Sequence, residues 1–148
     1  MEVTEELIMK FPAVWRDKLR TKEIELPDET EFEYKPIKVY RAVERTEDDF
    51  REVTLDDFQS YFMRGQKPKG VRGKSNLIKD PHYYGVSSFL KREIVEQLMN
   101  FPNPKKKMAE GFVKQEGGPQ HTEIERKHVC WWLYEDADQY VKAFKIVG

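Results

Sequence analysis

The chain has 148 residues, the length of one ordinary domain and enough to bury a core without metal or disulfide staples. Charged residues make up 36% and aromatic residues 13%, which together describe a charged surface over an aromatic-rich core and exclude a disordered segment. The net charge is −1, from 26 basic and 27 acidic residues, so no global field recruits polyanions or anionic lipid, and any such contact has to be local.

The N-terminal stretch MEVTEELIMKFPAVW carries acids where a secretory signal would carry Lys or Arg, and no apolar run approaches the roughly 18 residues that cross a bilayer. Cys130 is the only cysteine, so no internal disulfide and no paired-thiolate zinc site can form. These features predict a cytoplasmic protein with no membrane contact.

Residues 4 to 20 read as a kinked helix or helical hairpin: Thr4 can cap, Leu7, Ile8, Phe11 and Trp15 recur on one side, and Pro12 interrupts. An acidic connector ends at Pro36. IKVYRAV then alternates as a strand, with Ile37, Val39, Arg41 and Val43 on one face. An arginine inside an apolar row pairs with a carboxylate, stacks on an aromatic, snorkels past the sheet edge or holds a ligand anion.

TLDDFQSYFM predicts a short helix with Thr54 as N-cap and Asp57 in the capping-box position. From residue 64 to 79 there are six basic residues, no acidic ones and three glycines. This basic glycine-containing loop offers polyanion contact through Arg64, Lys67, Lys69, Arg72 and Lys74, although G-K-S within it lacks the spacing of a phosphate loop. YYGVSSF reads as a short strand or turn leading into a helix that Ser88 can cap, with Leu90, Ile94 and Leu98 on one face. MAEGFVK is a strand and EGGPQ a turn. KHVCWWLY and YVKAFKIV form two further strands, joined as a hairpin through EDADQ. The order predicts a single α+β domain, 1–148, with a largely antiparallel sheet and helices packed on it.

In HTEIERKHVCWWLYED, alternation puts Val129, Trp131 and Leu133 on a core face, and His128, Cys130, Trp132 and Tyr134 on the other. That second face is either covered by a helix layer or lines a pocket. No H-E-x-x-H or C-x-x-C pattern is present, so no metal set is expected, and Cys130 reads as a buried inert thiol.

VYRAV, YGVSSF and TEIE, in that order, resemble the arginine, serine-strand and E-x-E elements of R-S-E type ADP-ribosyltransferases. The resemblance covers about fourteen scattered residues, with SSF in place of the family's S-T-S. It implies an NAD site in which Arg41 contacts the phosphates, Ser87 or Ser88 supports the nicotinamide ribose, Glu125 is catalytic and Glu123 contacts the acceptor. The residues on their own predict a binding or interaction module of unknown ligand, with Arg41, His128 and Trp132 as candidate lining residues, and the resemblance implies that Ser87 and Ser88 join them. The resemblance adds an NAD-binding transferase-like enzyme as the alternative.

Overall fold

The computed structural model describes residues 4–65, 79–98, 100 and 103–147. Helix α1 (Glu5–Ile8) starts at Thr4, whose hydroxyl accepts from the Leu7 amide at 3.2 Å, and Pro12 separates it from α2 (Ala13–Arg20). Strand β1 (Ile37–Glu44) follows, then a 3₁₀ turn at Leu55–Phe58 and a short α3 (Tyr61–Arg64) capped by Ser60. The expected single helix here is two pieces. The Thr54 amide donates to the Asp57 carboxylate at 2.9 Å, as the capping-box spacing predicts, and Gln59 is extended between them.

A second 3₁₀ turn (Pro81–Tyr84) leads into β2 (Val86–Phe89), and α4 (Arg92–Leu98) packs across β1 and β2 with Val95 buried. Ser88 lies inside β2 and does not cap the helix. Then come β3 (Lys106–Val113), a 3₁₀ turn at Gln115–Gly117, β4 (Gln120–Glu123), β5 (His128–Trp131), α5 (Asp138–Val141) and β6 (Lys145–Val147). The expected hairpin between the last two strands does not form. Ala137, Val141 and Phe144 recur at helical spacing and bury in the core, so the chain turns through α5, and β6 pairs with β3.

The six strands form one antiparallel sheet in the order β4-β5-β2-β1-β3-β6, which confirms the α+β class. One face carries Val39, Val43, Val86, Ala109, Val113, Val129 and Trp131 against Phe58, α5 and Phe144. The other face carries Cys130 and Trp132, sealed by Ile8, Trp15 and Leu19 of the N-terminal helices, by Phe11 in the link between them, and by Tyr83 and Tyr84. The adjacent tryptophans thus belong to different layers, each fully buried, with ring N–H groups donating to the Gly118 carbonyl at 3.1 Å and the Pro81 carbonyl at 2.8 Å. Gly118 holds this turn at φ +141°, where a Cβ would stand 1.9 Å from the Trp132 carbonyl oxygen. No helix among the described residues is long and apolar enough to cross a membrane.

Candidate anion-binding site where the sheet opens

The sheet is not uniformly knitted. β1 pairs with β3 along its whole length, from Ile37↔Val113 to Glu44↔Lys106, but meets β2 at the single register pair Tyr40↔Phe89. Beyond that pair the two strands part. Arg41 bridges the opening: its Nη1 donates to the Ser87 carbonyl and its Nε to the Asp57 carbonyl at 3.1 Å, with the guanidinium 5.2 Å over the Phe58 ring.

A cavity of about 120 Å³ fills the gap, bounded by Arg41, Arg64, Lys106, Ser87, Tyr61 and Gln59 among others. Arg41, Arg64 and Lys106 are among its lining residues and no described carboxylate is, although an adjoining cavity, which shares Arg64 and Lys106 with it, is lined by Glu44, Asp56 and Asp57. Arg41 meets no carboxylate among the described residues either. Burial lowers its pKa to about 10, the like charge of Arg64 adds to that effect, and Asp57 opposes it. Two guanidinium donors are satisfied by carbonyls, but the charge itself has no direct counter-ion there, the condition under which an anion is drawn in. Asp57 does not supply one, because both its oxygens are held by Arg45 at 2.7 Å.

Adjoining this cavity at Gln59, Ser60 and Val86 is an apolar one of about 340 Å³, walled by Trp15, Leu55, Phe58, Met63 and Tyr84. Its size lies in the usual range of small-ligand pockets. A wider, open cleft of about 800 Å³ is lined by Glu116, Glu135 and Asp136, with Lys10 the one cation among its described lining residues, a balance that disfavours anions.

Ser87 connects the opening to a second group of polar residues. Its hydroxyl is 2.9 Å from His128 Nε2. Burial pulls the His128 pKa to about 4, against a smaller opposing effect of Glu123, so its ring is neutral at neutral pH. His128 Nδ1 is buried with no partner among the described residues, and the same holds for His121 Nδ1. His82, from the turn before β2, stacks at a tilt 6.2 Å from His121 and 5.9 Å from Trp132. All three histidines of the chain therefore gather beside one strand group.

The expected site residues separate into two sets. Arg41 and Ser87 meet, and His128 joins through Ser87. Ser88 is 2% exposed and in register with Val129, on the core face. Trp132 is 0% exposed under the N-terminal helices, so it packs and lines no opening. Glu125 sits exposed in the turn between β4 and β5, while Glu123, two residues earlier, is partly buried in register with His128. Cys130 is buried and burial pushes its thiol well above the ordinary value, as expected of an inert cysteine. Of the basic loop, Arg64 closes α3 and lines the cavity, whereas Lys67, Lys69, Arg72 and Lys74 lie outside the described residues.

Lys106, Gln59, Tyr61 and His82 were not singled out by sequence, since each is unremarkable in its own segment. No protein-family model, curated protein or solved structure matches the chain.

Proposed function

We propose that this protein is a ligand-binding domain for a phosphate-bearing small molecule, with a nucleotide of the NAD type as the first candidate. The observation that carries the reading is the opening between β1 and β2, where Arg41 and Arg64 line a cavity with no carboxylate among its described lining residues. Arginine forks suit phosphate oxygens, and the adjoining aromatic-walled cavity suits a base or nicotinamide ring. The phosphate occupies the basic opening and the ring the apolar side, across Gln59 and Ser60. A cytoplasmic setting fits such a ligand and the single, buried thiol.

The transferase reading is supported by the meeting of Arg41 with Ser87, two of the residues that the ADP-ribosyltransferase resemblance picks out. On this reading Glu123, in register with His128, supplies a carboxylate one strand beyond β5, and Glu125 would have to approach from the exposed turn.

Thermal unfolding with NAD, ADP-ribose, ADP and pyrophosphate tests the proposal. A hundredfold excess over the dissociation constant stabilises by about 2.7 kcal/mol. Arg64→Ala, an exposed change, is expected to weaken the shift with the fold intact, and Arg41→Lys to weaken it further because a point charge does not reproduce the planar fork. No shift with any of the four at millimolar concentration refutes the proposal. A shift with pyrophosphate equal to that with NAD restricts it to the phosphate.

A further inference from the structure

We propose a divalent metal site formed by His82, His121 and Glu123, with Asp80 orienting His82. One ligand atom from each of the three lies within 4.8 Å of the others. They come from two separate segments: His121 and Glu123 stand two residues apart on β4, hence on one face, and the turn before β2 brings His82 to them. Two imidazoles and a carboxylate form a donor set for a borderline ion such as Zn²⁺ or Co²⁺. Three protein ligands leave a position open for water or a substrate oxygen.

Two features of this cluster suit a metal site. First, the Asp80 Oδ1 accepts from the His82 amide at 3.0 Å and from its ring Nδ1 at 3.1 Å. That bond keeps the proton on Nδ1 and leaves the Nε2 lone pair as the donor, the carboxylate–histidine arrangement that orients metal ligands. Second, His121 Nδ1 is buried without a described partner, an arrangement that costs free energy unless something binds the ring. Glu123 is partly buried, and its described ion pair, to the exposed Arg126 at 3.4 Å, is long. Cys130 faces the aromatic layer and takes no part.

Titration of the tag-free full chain with ZnCl₂ alone, followed by calorimetry, and with CoCl₂, followed by visible absorption, reads the site directly. The expected result is one equivalent of Zn²⁺ and Co²⁺ bands of a four- or five-coordinate nitrogen–oxygen site. His82→Ala and Glu123→Gln each lose at least a hundredfold in affinity, and Asp80→Asn loses about 10–100-fold. His82 and Glu123 are not in the core, so their variants should keep the metal-free urea midpoint of the parent. Cys130→Ser and Arg64→Ala should bind Zn²⁺ like the parent, which separates this site from the anion cavity. Absence of stoichiometric binding in the parent, or unchanged affinity in both His82→Ala and Glu123→Gln, overturns the proposal.

Discussion

The Arg45–Asp57 pair offers the sharpest test of how the opening is built. Arg45 is 4% exposed, and all five of its N–H donors are used. Two reach the Asp57 oxygens at 2.7 Å, and the others reach the Glu44, Arg51 and Glu52 carbonyls at 2.7, 3.3 and 3.0 Å. Asp57→Asn keeps the shape but removes the charge, leaving a buried guanidinium uncompensated, at a cost of about 3–5 kcal/mol. For a domain of this size that is roughly a 10 °C fall in the unfolding midpoint. Because Asp57 also supplies the carbonyl that holds Arg41 Nε, the variant should bind pyrophosphate or NAD more weakly even where it stays folded.

A pH dependence accompanies the pair. Burial pushes the Asp57 carboxyl up, but hydrogen bonds from Arg45 and the Thr54 amide and the nearby arginine charges outweigh it, leaving it below the usual 3.8. A lowered folded-state value means that the stabilisation is complete above the unfolded value and is lost as pH falls through the folded one. Urea unfolding between pH 7 and pH 2 should therefore show the parent converging on Asp57→Asn at the acid end. The surface pair Asp49–Arg51 titrates in both proteins and drops out of the difference. A loss below about 1 kcal/mol at pH 7, with an unchanged m-value, would show that the pair contributes little net energy and that Arg41 is positioned by other contacts.

Two further predictions concern the core. Trp131→Ala and Trp132→Ala should each cost roughly 3–5 kcal/mol in urea unfolding, because each ring fills its own layer, and a tolerant Trp132→Ala would mean that the N-terminal helices do not seal that face. Gly118→Ala should destabilise by more than the roughly 1 kcal/mol typical of a point mutation, since it combines a positive φ with a 1.9 Å contact to the Trp132 carbonyl; a neutral result would reject the close packing of this turn against β5.

Much of the fold could be read from local pattern wherever burial and periodicity agree. Alternation in IKVYRAV and HVCW gave the strands and their core faces, and Pro12 and Thr4 marked the helical break and cap. Where the two disagree, the pattern misled. YVKAFKIV has strand-like composition, yet Ala137, Val141 and Phe144 bury at helical spacing, and the chain could not both continue as a strand and place them. β4 escaped recognition because QHTE has no apolar row at all. Its inward residue is Gln120, 0% exposed, made tolerable by a 2.6 Å bond to Glu31 and a 2.6 Å bond from Thr122, and neither partner is predictable from a polar tetrapeptide.

Of the residues at the opening, Arg41, Arg64 and Ser87 were legible in the sequence, Arg41 as the most anomalous, whereas Gln59, Tyr61 and Lys106 were not. Arg41 stood out because a cation in an apolar row demands an explanation, and the explanation lies in residues 16 and 46 positions away, the Asp57 and Ser87 carbonyls. Register, not composition, made the rest of the site. A β2 of four residues, attached to β1 at one pair and to β5 along its full length, leaves β1 and β2 apart where Arg41 stands. The same β2–β5–β4 register carries Ser87 to Cys130 and then to His121, and Phe89 to His128 and then to Glu123. The histidine cluster and the arginine opening are therefore two ends of one structural cause: a sheet whose left half is tightly paired around β5 and whose right half is tightly paired around β1.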